Sequence, residues 1–225
     1  MRVLHVMEAT IGGTKRHLLE LARGLRGAGW DVEVACPRVR DAAFGDTSFW
    51  DDLAASGIPA HEVAMARRPL SAPNARAVGA LGDLIRRGGF DVVHAHSSIA
   101  GAVARPAARL ASRRAGRRPR TVYTPHGFAF LTPGSIARRR LFLFAERALG
   151  RITDRLIAVS PTEAREAIAW GIVAPRKVVT IPNGVDLLSL TGPQEREAIR
   201  RREGWDGAPV VGTVARMTPQ KDPET

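Results

Sequence analysis

The stretch RVLHVMEATIGGTKRHLL, residues 2–19, sets a short apolar run, Arg2 to Met7, against a glycine pair, Gly12-Gly13, and the glycine pair against a helical repeat that begins at Leu18-Leu19. Strand, glycine turn and helix in that order open a βαβ unit. The same alternation runs on down the chain. Valine-rich strand candidates at 2–7, 31–36, 59–65, 91–96, 120–125, 154–160 and 177–184 are separated by stretches of helical period, the first carrying Leu18, Leu19, Ala22 and Leu25 on one face. Ser160-Pro161-Thr162-Glu163 reads as a capping box with proline at the first helical position, which fixes one helix start. The pattern predicts an α/β fold, a Rossmann-like parallel sheet of about seven strands with helices on both faces.

In an open sheet of this kind the ligand crevice lies at the carboxyl ends of the strands, where Gly12-Gly13 falls. Two readings of the pair stand at this point. It is a tight turn, or it lets a phosphate approach the backbone at the positive end of the following helix. The P-loop pattern fails, because Gly13 is followed by Thr14-Lys15-Arg16 with no lysine followed by serine or threonine. The dinucleotide fingerprint fails as well. Arg16 or His17 stands where its third glycine belongs, and Cys36-Pro37 stands where its acid belongs; Arg38 and Arg40 offer only a weak substitute, a site for a 2′-phosphate.

Composition narrows the classes. With 225 residues, 44% of them hydrophobic, the chain has ample material for a buried core. The single cysteine, Cys36, excludes an intramolecular disulfide framework and a cysteine-cluster zinc site, and fits a reducing cytoplasm. Glu8 interrupts the amino terminus before a signal-peptide hydrophobic region forms, and no apolar run is long enough to span a bilayer, so the expected location is cytoplasmic, with peripheral membrane contact. The net charge of +12 is concentrated in arginine runs at 113–120, 137–142 and 196–204, which suit anionic lipid headgroups or phosphorylated substrates as well as a solvated surface. Nucleic acid is disfavoured, since no aromatic residues interleave with these runs.

Six segments, IGGTKRHLLELARGLRGAGWDVEVAC, DVVHAHSSIAGAVAR, TVYTPHGF, DRLIAVSPTEARE, VVTIPNGVD and VGTVARMTPQKDPE, resemble in order the signature segments of the family 4 glycosyltransferases. That resemblance implies one half of a GT-B architecture, in which two Rossmann-like domains face each other across a cleft. Residues 1–190 would be the N-terminal, acceptor-side domain, and 191–225 a linker and the truncated start of the C-terminal, donor-binding domain, with Asn183 to Asp186 at the junction. The family carries a pair of glutamates farther on, and these residues stop before that place, so the chain is either a fragment of a longer protein or a natural truncation.

The resemblance also implies roles for residues. Gly12, Gly13, Arg216 and Lys221 would bind the diphosphate of a nucleotide-sugar donor, and His126 would act beside the transferred sugar. His96 and Ser97 are read from position, since the strand ends there, as facing the acceptor cleft. His94 and His96 alternate on one strand and share a face, which leaves a metal site as a weaker reading, since neither a carboxylate nor a cysteine stands near. No Asp-x-Asp pair is present, so the family pattern implies neutralisation of diphosphate by helix ends and side chains, with no metal and no cofactor beyond the donor. The expected activity is retaining, metal-independent transfer of a sugar to a lipid-linked, polysaccharide or small-molecule acceptor, with these 225 residues inactive alone. The rival expectations are a non-catalytic module that binds acceptor or membrane, and a nucleotide-dependent oxidoreductase.

Overall fold

A computed structural model describes residues 1–39, 45–115, 118–184, 193–205, 207 and 209–212, side chains excepted at 112–115 and 193–194. The chain divides into two compact units, Met1–Asn183 and Gly184–Thr225. Within the second unit the element among the described residues is a helix, α7, Pro193–Glu203. The strand expected from residue 209 is not formed over 209–212, and its remainder, with Arg216 and Lys221, lies outside the described residues.

The first unit alternates as the sequence predicts: β1 (Arg2–Met7), α1 (Gly13–Gly27), β2 (Asp31–Cys36), α2 (Ser48–Ala55), β3 (Ala60–Glu62), α3 (Ala72–Gly88), β4 (Val92–His96), α4 (Ser98–Ala115), β5 (Arg120–Thr124), α5 (Ile136–Gly150), β6 (Arg155–Ala158), α6 (Pro161–Ala169) and β7 (Val178–Thr180). The strands make one parallel sheet in the order β3-β2-β1-β4-β5-β6-β7. Because β1 lies between β2 and β4, the order reverses there, and the loops after β1 and β4 diverge to leave a crevice.

Successive residues of β1 serve opposite faces. Met7 joins Leu18, Leu19, Val34, Phe49 and Leu53 beneath α1 and α2, whereas Leu4 and Val6 join Leu81, Val93, Ala104 and Leu156 on the other face. Cys36 is buried in the first of these layers, and burial, then the charge of Glu62, pushes its thiol up to about 12, so it packs as an inert apolar group.

The second layer encloses a charge. Arg105 on α4 is fully buried, and its Nη2 lies 2.9 Å from Glu146 Oε2 on α5 while its guanidinium stacks 4.0 Å from the Tyr123 ring centroid. Tyr123 Oη donates to Glu146 Oε1 at 2.7 Å, and Arg105 Nε donates to the Gly101 carbonyl at 2.7 Å. Each buried charge is thus paired and hydrogen-bonded, the condition under which burial is tolerated. Gly101 makes room for this arrangement, since a Cβ there would lie 2.6 Å from the Tyr123 ring. The network ties α4, β5 and α5 together behind the strand that delivers His126.

Candidate functional site

At the carboxyl edge of the sheet β1 leads into the glycine pair. Gly12 is the N-cap of α1, with φ 73° and ψ −153°, a conformation accessible almost only to glycine. Gly13 has neither positive φ nor a neighbour within 4 Å of an added Cβ, so nothing in the packing requires glycine there. What its missing side chain leaves is open access to the first turn of α1. No side chain caps that turn and no acid occupies it, whereas Ser71, Ser135 and Ser160 cap α3, α5 and α6. Lys15, in the same turn, points elsewhere: its Nζ pairs with Asp52 and donates to Ser48 Oγ, both at 2.6 Å.

The next two strands toward β7 end in strained residues. Ser97, directly after β4, has φ 77°, and His126, just past β5, has φ 53°; among the described residues they are the two non-glycine positions with positive φ. Strain of this kind, on the order of 1–3 kcal/mol, persists where the surroundings enforce it. At His126 the enforcing group is Glu163. Its carboxylate is buried and accepts from the Gly127 amide and the Val159 amide, each at 2.7 Å. The capping box forms in part as the sequence predicts, with Ser160 Oγ accepting from the Glu163 amide at 3.1 Å. The glutamate, however, turns away from Ser160 to hold the His-Gly loop.

Around His126 the structure gathers five of the six histidines. His5 pairs in register with His94 across β1 and β4, and His96 follows two residues on. His5 Nδ1 lies 3.0 Å from His96 Nε2, His96 Nδ1 lies 3.3 Å from His126 Nε2, and His94 Nε2 lies 2.8 Å from Thr124 Oγ1. The His17 ring, from α1, stands edge-on to His126 at 4.8 Å between centroids. His5, His94 and His96 are buried, while His17 and His126 are partly exposed. Burial is the largest influence on all five. It lowers His5 to about 3 and His126 to about 4, holds His94 and His96 well below the usual range, and lowers His17. At neutral pH the cluster is therefore a set of uncharged imidazoles, each able to donate from one nitrogen and accept at the other.

The structure thus brings Gly12, Gly13, His96, Ser97 and His126 to one edge, with His96 itself beneath the surface and in contact with His126. Ser97 Oγ and Thr10 Oγ1 at this edge are buried without a hydrogen-bond partner among the described residues. Three residues that the sequence did not single out, His5, His17 and Glu163, belong to the arrangement. His5 was detectable only through the β1–β4 register, and Glu163 only through a contact 36 residues distant.

The family model for Glycosyltransferase Family 4 matches residues 11–188. The UDP-Gal:alpha-D-GlcNAc-diphosphoundecaprenol alpha-1,3-galactosyltransferase of Escherichia coli is 33% identical over 142 residues, which cover 62% of this chain and 35% of that protein. The D-inositol 3-phosphate glycosyltransferase of Kribbella flavida is 28% identical over 95% of this chain and 51% of its own. Among solved structures, Anabaena HepE in complex with UDP and glucose superposes with a TM-score of 0.75 at 22% identity, over 100% of this chain and 56% of that one, a likeness of fold. The chain spans about a third to a half of the length of these curated relatives.

Proposed function

The chain belongs to glycosyltransferase family 4, and from that premise we propose that its first unit is the acceptor-side half of a GT-B enzyme that moves a sugar from a nucleotide donor, with retention and without a catalytic metal. The observation that carries this reading is the convergence, at the switch point of the sheet, of an uncapped helix N-terminus behind Gly12-Gly13 with two strained residues, Ser97 and His126. The amides of the first turn of α1 suit the donor diphosphate. His126, uncharged at neutral pH, suits the sugar. A neutral imidazole hydrogen-bonds a hydroxyl and tolerates the positive charge that develops as the glycosidic bond loosens, where an imidazolium would oppose it. Arg216 and Lys221 are proposed to share the diphosphate from a C-terminal, donor-binding domain that begins near residue 191, and Ser97 to border the acceptor, with His96, buried beneath, supporting the His126 ring.

The acceptor class is left to experiment among lipid-linked, polysaccharide and small-molecule compounds, the relatives' names including a diphosphoundecaprenol and an inositol phosphate. The full product of the gene that encodes these residues, given a panel of nucleotide sugars and acceptors, should release nucleoside diphosphate continuously. The 225-residue polypeptide alone should release none above background, because solvent-exposed phosphate contacts are each worth roughly a kilocalorie per mole or less. Absence of release by the full product with every pair would favour a binding module instead.

Peripheral membrane contact is proposed for α5. Arg138, Arg139 and Arg140 are exposed beside Ile136 and Phe144, each 71% exposed, and Leu141. Among the described residues no helix is long and apolar enough to cross a membrane. Cations flanking exposed apolar side chains suit an anionic bilayer surface. The chain should sediment with anionic but not neutral liposomes, and reversing the three arginines to glutamate should abolish this; binding that ignores salt or lipid charge would contradict it.

A further inference from the structure

We propose that His17, His96 and His126 form a binding site for a divalent transition-metal ion of the zinc class at the carboxyl edge of the sheet. One nitrogen from each of the three lies within 4.8 Å of the others. The separation of His96 Nδ1 and His126 Nε2, 3.3 Å, matches the nitrogen–nitrogen edge of about 3.3 Å that a tetrahedral ion with bonds of about 2.0–2.1 Å requires. The ligands come from α1, β4 and the loop after β5, elements whose positions are set by the sheet and by the Glu163 contact, so little ordering is left for an ion to impose.

The remaining nitrogens are compatible with the same assignment. His96 Nε2 lies 3.0 Å from His5 Nδ1, and with the proton on His96 Nε2 this bond leaves the lone pair of Nδ1 facing His126. That is how a supporting partner orients a ligating imidazole. The same tautomers place the His5 proton on Nε2, a buried atom with no partner among the described residues. The His17 nitrogens likewise take no hydrogen bond among the described residues, so no bond must be broken to turn one of them inward.

A second triad, His5, His94 and His96, is equally close, but all three are buried and His94 Nε2 is already engaged by Thr124 Oγ1. The outer triad has two partly exposed members and therefore an entry path. Three imidazoles and no carboxylate select zinc, cobalt or nickel over magnesium or calcium, and leave a fourth position for water or an anion. The ion is no reactant here. On the proposed role of His126, it would hold that ring away from the sugar and slow transfer.

The test uses the chain stripped with chelator and titrated with cobalt(II) while the visible absorption is followed, then with zinc in competition. One cobalt ion per chain with the intense bands of low-coordinate cobalt is expected, displaced by zinc and not by magnesium. His17→Ala and His126→Ala should each weaken binding at least tenfold, while His61→Ala, on β3, leaves it unchanged; circular dichroism checks that the variants fold. No binding by about a millimolar, or binding that survives both substitutions, overturns the site. Zinc that binds through these residues yet leaves nucleoside diphosphate release by the full gene product unchanged overturns the inhibitory effect and the role of His126, and leaves the ion site standing.

Discussion

Lowering the pH from 7 to 5 should remove about 2 kcal/mol or more from the stability of the Met1–Asn183 unit. His5, His94 and His96 are buried side by side, and desolvation, with mutual repulsion among the charged forms, keeps them neutral in the folded chain. In the unfolded chain each titrates near 6.5. The sign follows from proton uptake. Above pH 6.5 both states are neutral and nothing changes. Below it the unfolded chain binds protons that the folded chain refuses, so stability falls as pH falls, by up to about 1.4 kcal/mol per pH unit for each histidine. For His5, with a folded value of about 3, the loss between pH 7 and 5 is about 2 kcal/mol, and His94 and His96 act in the same direction. Domains of this size hold only about 5–15 kcal/mol. Urea melts at the two pH values, with chelator present, measure the difference. His5→Asn should flatten the dependence by about one proton, and stability that stays level or rises toward pH 5 would contradict the burial argument.

In the full gene product, His126→Ala should lower kcat by about 10²-fold or more with a smaller change in KM, the range in which a positioned acid, base or hydrogen-bonding group acts. Three features of His126 act together. The residue stands at a strand end on the crevice side of the sheet, it adopts a left-handed conformation enforced through Gly127 and Glu163, and it is held uncharged by burial. His126→Asn separates the side chain from the backbone, because asparagine also accepts positive φ. If both variants lose kcat, the imidazole is responsible. If alanine alone loses it, the loop is. Unchanged kcat in both removes His126 from the chemistry.

How far the sequence reached can be seen residue by residue. Strands such as Val92–His96 were legible because parallel strands covered on both faces become nearly continuous apolar runs, and the helices between them carry a 3.6-residue period. Gly12 was legible because its place between a strand and a helix leaves few explanations for a glycine. The histidine cluster was only half legible. His94 and His96 share a strand face by period alone, but the approach of His5 and His17 depends on β1 pairing with β4, two elements that 84 residues separate, and on where α1 packs. Local pattern carries no record of such register. Glu163 shows the same limit, since its position in a capping box was apparent while its reach to Gly127 was not. Nothing in the local sequence distinguishes Arg105 and Glu146 from the other charges on their helices, and only packing reveals them as a buried pair.

We propose that the diphosphate of a nucleotide sugar meets the chain at the N-terminus of α1, opposite His126. The most direct measurement is a titration of the ¹⁵N-labelled 225-residue chain with uridine diphosphate and a nucleotide sugar, followed by amide chemical shifts. The amides of Gly12, Gly13, Thr14, Ser97 and Gly127 should move together, and replacing Gly13 by alanine should reduce the response while leaving the melting temperature unchanged or slightly raised. Shifts concentrated instead at Gly29, Trp30, Gly89 and Phe90, at the opposite edge where β2 and β4 begin, would contradict it.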